Sequence, residues 1–189
     1  MAKILVVYGT TYGQTEKIIR RIDRELTKRG HEVSVYQGDQ LPPELSPGVH
    51  DAFLVAASVI AGKHQRSIRE FVRRHADQLN AAPSAFISVS GSAADSPDLA
   101  RAGAESFLRQ TSWHPMFVQC FAGSLAYTRY RWWLRWIMKH ISRSHGGPTD
   151  TSRDHELTDW EAVDRFAVRL ADALSSSPAR RLEVGRIVG

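Results

Sequence analysis

Lys3, Ile4, Leu5, Val6, Val7 and Tyr8 run directly into Gly9, Thr10, Thr11, Tyr12, Gly13, Gln14 and Thr15, and from there into an amphipathic stretch that ends at Gly30. Four consecutive apolar residues, Ile4 to Val7, suit a strand buried on both faces, which in turn requires a sheet covered on both sides. Ile18, Ile19, Ile22 and Leu26 recur at helical spacing, so a helix follows, and Gly30 supplies the left-handed residue that ends it. A strand, a hydroxyl-rich turn and a helix in that order aim backbone N–H groups at an anion. The turn predicts a phosphate cradle. An ordinary strand-to-helix connection with polar capping residues would look similar, so the rest of the chain has to separate the two.

The spacing excludes two well-known cradles. A Walker loop needs four residues between its glycines followed by Lys and Ser or Thr, whereas three residues separate Gly9 from Gly13 and Gln14 comes next. The dinucleotide fingerprint needs bare glycine backbone for a pyrophosphate, but Thr10, Thr11, Tyr12 and Thr15 crowd this turn with hydroxyls. A single phosphate monoester fits better than either.

Further along, residues 32–36, 52–57, 85–89 and 116–121 read as strands, separated by helical patterns around Ile68, Phe71, Val72 and Leu79 and over residues 97–110. Thr158 and Glu161 have capping-box spacing before a last helix that carries Trp160, Val163, Phe166, Ala167, Leu170 and Leu174 on one face. Alternation of this kind predicts an α/β fold: a doubly wound five-stranded parallel sheet of order 2-1-3-4-5. The crevice of such a sheet opens where the chain reverses direction, beside the first strand. One domain over residues 1–174 and a loose tail over 175–189 are expected for a chain of 189 residues.

One cysteine, Cys120, allows no internal disulfide, and its apolar surroundings suggest a buried strand thiol rather than a nucleophile. No stretch approaches the roughly 18 apolar residues of a membrane span, and no signal peptide is visible. The formal charge of +5 calls for an anionic partner.

Residues 124–147 exceed what a minimal fold of this kind needs after its fifth strand. At helical spacing Tyr127, Tyr130, Trp133, Leu134, Ile137, Met138 and Ile141 form an apolar stripe, while Arg129, Arg131, Arg135, Lys139 and Arg143 spread over the other side. Trp132 and Trp136, four residues apart, fall among the cations. A helix packing its stripe on the domain explains the apolar residues. Two indoles on the charged face suit instead a membrane interface or a flat aromatic ligand bearing carboxylates. No nucleic-acid recognition motif accompanies the charge, so a nucleic-acid partner is not expected.

These features resemble the flavodoxin-like family and, within it, the menaquinone-dependent protoporphyrinogen IX dehydrogenases. The resemblance rests on Phe71-Val72-Arg73-Arg74-His75-Ala76, Pro83-Ser84-Ala85-Phe86, Tyr127-Thr128-Arg129-Tyr130-Arg131-Trp132, Gly146-Gly147-Pro148-Thr149-Asp150-Thr151 and Thr158-Asp159-Trp160-Glu161. It implies FMN as cofactor, with Thr10, Thr11, Tyr12, Gly13, Gln14 and Thr15 around its phosphate. Ser58, Val59, Ile60, Ala61 and Gly62, with Ser90, Gly91 and Ser92, would line the ring. Tyr12 stands where electron-transfer flavodoxins usually have a hydroxyl residue, and Tyr127 or Trp113 would replace the aromatics their later loops provide.

The implied reaction oxidises protoporphyrinogen IX to protoporphyrin IX and passes the electrons to menaquinone or ubiquinone. Arg129, Arg131 and Arg135 are then the candidates for the propionates, and Trp132 and Trp136 for substrate or membrane contact. A cytoplasmic protein, peripheral at the inner face of the cell membrane, is the corresponding expectation. Two alternatives remain at this point: a flavodoxin-type electron carrier, against which the positive charge counts, and a non-catalytic membrane- or porphyrin-binding module.

Overall fold

Alternate side chains of the first strand feed two separate cores, as the period of two requires. In the computed structural model, which describes residues 1–129, 131–133, 135, 136, 140, 143 and 150–176, β1 (Lys3–Gly9) sends Ile4, Val6 and Tyr8 to one face and Leu5 and Val7 to the other. Helix α1 (Gln14–Lys28) covers the first face with the four apolar residues its spacing predicted. It ends in a Schellman arrangement: Gly30, at φ 83°, donates its N–H to the Thr27 carbonyl and His31 donates to that of Leu26.

The chain continues through β2 (Glu32–Gln37), β3 (Ala52–Ile60), the two-residue β4 (Lys63–His64), α2 (Arg66–Arg74), α3 (Ala76–Ala81) and β5 (Ser84–Ser90). After the short α4 (Ser92–Asp95) come α5 (Pro97–Thr111), β6 (Phe117–Ala122), β7 (Ser124–Leu125), β8 (His155–Glu156) and α6 (Trp160–Ser176). The main sheet has the order β2-β1-β3-β5-β6, parallel throughout, with β4 attached antiparallel to β3. It is the doubly wound arrangement expected. α1 and α6 cover one face, and α2, α3 and α5 the other.

Four local details differ from the sequence expectation. The helical pattern around Ile68 to Leu79 is two helices, because His75 leaves helical geometry (φ −115°, ψ 19°) with its ring packed on Phe71. The third strand runs on to Ile60 and turns back through Ala61 (φ 49°) and Gly62 (φ 73°), a hairpin that pairs Val59 with His64. Asp159, not Thr158, caps α6, accepting the Ala162 N–H at 3.0 Å. Cys120 is half-buried on the edge strand, and burial pushes its thiol pKa up.

Tyr130, Leu134, Ile137, Met138 and Ile141 of the expected stripe, Lys139 of the expected cationic side, residues 144–149 and the tail from 177 lie outside the described residues. Among the described residues no helix is long and apolar enough to cross a membrane.

Candidate functional site

The turn after β1 leaves polar groups over. Gly13 adopts the left-handed conformation (φ 87°) at the N-cap of α1, and no side chain caps the helix, so the N–H groups opening it have no intrahelical partner. Thr10 accepts the Gly13 N–H at 2.9 Å, fixing the turn while leaving its own hydroxyl proton to donate. Thr15 is fully buried, yet its Oγ1 has no hydrogen-bond partner among the described residues. An enclosed hydroxyl in that state costs about 1–3 kcal/mol unless something completes it. Uncapped amides, a spare threonine proton and an unsatisfied buried hydroxyl suit a phosphate monoester, and thus the phosphate of FMN.

Gln14 contributes to this turn through its backbone. Its side chain is buried and donates to Thr158 Oγ1 at 2.8 Å, and Thr158 donates in turn to the Ala122 carbonyl at 2.7 Å. That bridge ties the first turn of α1 to the end of β6 and explains why Thr158 does not cap α6.

The other two predicted segments lie at the carboxyl ends of β3 and β5, which follow β1 in the sheet. Gln65, which the sequence did not flag, joins two of the three: its Nε2 donates to Ser58 Oγ and, at 3.3 Å, to Thr11 Oγ1. Gly9 is what lets Gln65 approach, since a Cβ there would stand 2.9 Å from Gln65 Oε1 and 2.7 Å from Ile68 Cγ1. Beneath the hairpin, His64 is buried, lies against the Phe86 and Phe107 rings and shares a 2.9 Å hydrogen bond with Ser88. Burial, helped by the Arg69 charge, lowers its pKa from 6.5 to about 4, so the imidazole is neutral at pH 7. Ala61 and Gly62 are exposed at the tip and Ile60 is 37% exposed. Ser90 is buried and shares a 3.0 Å hydrogen bond with Ser92.

Neither proposed aromatic substitute stands open in the crevice. Trp113 is buried in the core on the α2–α5 side and donates its indole N–H to Ser84 Oγ at 3.1 Å. Tyr127 is also buried, in a small cluster with Leu125 and Ala126 against which Tyr12 and Leu157 pack. This contact accounts for Tyr12: the ring docks the segment after β6 onto the turn.

That segment is rooted beside α1. β7 and β8 form its paired legs, Lys17 of α1 meets Glu156 at 2.9 Å, and Glu156 also accepts the Trp160 indole N–H at 2.6 Å. Asp154 accepts both the N–H and the hydroxyl of Thr128, at 2.9 and 2.7 Å, and faces Arg129 Nε at 3.5 Å. Burial disfavours the Asp154 carboxylate, but the Thr128 hydrogen bonds and the Arg129 charge outweigh it and hold the pKa below the ordinary value. Arg129 therefore stands apart from the other arginines predicted for substrate. Its Nη1 lies 3.8 Å from the position a Gly13 Cβ would occupy. Farther out, Arg131 and Trp132 are exposed, and Trp136 is exposed and stacked on His140 at 5.9 Å. Arg135 Nε is enclosed without a hydrogen-bond partner among the described residues.

A doubly wound sheet of this order with an anion turn after its first strand defines a flavodoxin-type domain, and the chain belongs to that family: the flavodoxin domain model matches residues 5–152. Within it the chain is 35% identical over 173 residues to the protoporphyrinogen IX dehydrogenase (quinone) of Escherichia coli K12, covering 89% of this chain and 94% of that protein. It is 34% identical over 185 residues to the Leishmania major protein of the same name, covering 94% and 78%. Among solved structures, a flavodoxin variant from Pseudomonas aeruginosa superimposes with a TM-score of 0.58 at 16% identity, covering 92% of this chain and 99% of that one. An archaeal flavodoxin gives 0.55 at 16%, with the same coverage. These last two establish the fold.

Proposed function

We propose that this chain is an FMN-dependent, quinone-linked protoporphyrinogen IX dehydrogenase. The observation that carries the proposal is the position of the basic, aromatic segment, whose legs are fastened to the turn suited to the FMN phosphate. A carboxylate-binding arm is thereby attached beside the cofactor. A carrier of single electrons has no use for such an arm, and its partner matching favours an acidic surface, whereas this chain has a formal charge of +5.

The Gln14 and Thr15 amides with the Thr10 and Thr15 hydroxyls would hold the phosphate, flanked by Thr11, Tyr12 and Gly13. The Ser58–Gly62 stretch and Ser90, Gly91 and Ser92 would wall the ring. When bound, FMN supplies the electron transfer between porphyrinogen and quinone; the chain supplies binding and orientation. Neutral His64 secures the hairpin from below, and Gln65 sets its distance from the turn. Arg131 and the enclosed donor of Arg135 are suited to propionates through charge-assisted hydrogen bonds. The exposed indoles of Trp132 and Trp136, beside these cations, suit the headgroup level of an anionic membrane, from which a quinone would be reached. Peripheral attachment at the cytoplasmic face of the cell membrane belongs to the same proposal.

The test is anaerobic oxidation of protoporphyrinogen IX by FMN-loaded protein with a menaquinone or ubiquinone analogue. Saturable turnover that falls at least tenfold in kcat/KM in the Arg131→Glu, Arg135→Glu double variant is expected. Flavin-loaded protein that never turns over with either quinone, yet reduces a protein acceptor, would make it a carrier instead.

A further inference from the structure

We infer that Arg129 is a ligand of the cofactor phosphate and not of the substrate carboxylates, so that the inserted arm itself completes the FMN site. This rests on the FMN assignment made above and deepens it.

Three independent observations meet at one place. The arginine lies over the turn: apart from the chain neighbours of Gly13, Nη1 is the atom of the described residues nearest to where a Gly13 side chain would begin, at 3.8 Å. The turn beneath has unmet donors, an uncapped helix and the buried, partnerless hydroxyl of Thr15. The guanidinium is also held in advance. Asp154 faces its Nε edge at 3.5 Å and is itself fixed by two hydrogen bonds from Thr128, and the Arg129 N–H donates to the Ala126 carbonyl at 2.9 Å. With one edge engaged, the planar fork leaves its two terminal nitrogens for a bidentate grip on an oxyanion.

The other charges at the turn are already matched. Glu16 is bound by Arg20 at 2.6 Å, and Lys17 by Glu156 at 2.9 Å. Arg129, with a side chain 52% exposed, pairs through Nε with Asp154, and among the described residues its terminal nitrogens have no hydrogen-bond partner. Gly13 is glycine for its left-handed φ of 87°, and a Cβ there would stand at ordinary contact distance from this cation.

The experiment compares FMN with riboflavin, which has the same ring and lacks the phosphate, by quenching of flavin fluorescence on titration with apoprotein. Wild type should prefer FMN. Arg129→Gln should weaken FMN about 10- to 100-fold, the range of a hydrogen bond to a charged group, and leave riboflavin unchanged. Its FMN affinity should also lose part of its salt dependence, and Arg129→Lys should restore part of the preference. Thermal unfolding of each apoprotein separates misfolding from loss of a ligand. Unchanged FMN affinity in a folded Arg129→Gln protein would overturn the inference and leave the FMN assignment standing, as would equal weakening of both flavins, which marks a structural role. If wild type bound neither flavin, the assignment and the inference would fall together.

Discussion

At its root the segment following β6 is anchored: Tyr12 packs on the buried Leu125, Ala126 and Tyr127, Asp154 gathers Thr128 and Arg129, and Glu156 gathers Lys17 and Trp160. Beyond it, Arg131, Trp132, Trp136 and His140 face solvent. The same residue types behave differently in the two settings. At and beside the crevice His64 and Asp154 are hydrogen-bonded by the fold, and the protonation of each is coupled to stability. On the exposed stretch, solvated cations and indoles contribute little to folding, and the exposed indoles mark a surface suited to a partner outside the chain.

The largest effect that would sharpen this contrast comes from His64. His64 has its folded pKa depressed to about 4 from 6.5, so the native state binds fewer protons than the unfolded chain between those values. Stability is therefore full above pH 6.5 and is lost as pH falls towards 4, by about 3 kcal/mol in all. Urea unfolding at pH 7 and pH 4.5 should show this loss. His64→Asn should abolish most of it; an undiminished loss in that variant would break the comparison.

Thr15→Val comes next. It should weaken FMN by about 1.5–3 kcal/mol, while leaving the apoprotein as stable or slightly more so, because a buried unsatisfied hydroxyl is replaced by a methyl group. Fluorescence titration and thermal unfolding read the two effects separately. Asp154→Asn should cost about 1 kcal/mol by urea unfolding at pH 7, since the charge leaves two hydrogen bonds and an ion pair but the site is partly open to water. The smallest effect on folding, within about 0.5 kcal/mol, is expected for Trp132→Ser with Trp136→Ser. That double variant should nevertheless release the protein from anionic lipid vesicles in a sedimentation assay; full retention would remove the indoles from the proposed membrane contact.

The strands and helices were legible because they follow period. Ile4 to Val7 announced burial on both faces, the Ile18 to Leu26 spacing announced α1, and Gly30 its end. What stayed hidden depends on geometry that period does not encode. The hairpin at Ala61 and Gly62 lacks the Asn-Gly or Asp-Gly pair that usually marks such turns, since alanine at φ 49° is tolerated only because the flanking strands impose it. The helix cap shifted by one residue because Thr158 was needed by Gln14 and Ala122. Arg129 looked like one arginine among several, and its distinction arises only when β7 and β8 bring Asp154 back beside it. Gln65 carried no motif at all; its role follows from the absence of a side chain at Gly9.

The β7–β8 ladder has an engineering consequence. Because Leu125 lies directly opposite His155, the two ends of the stretch between them already meet. A short turn spliced across that junction would pare the protein down towards a bare scaffold, and the excised stretch, transplanted with its paired legs, could be tried as a graft on an unrelated carrier of the same architecture.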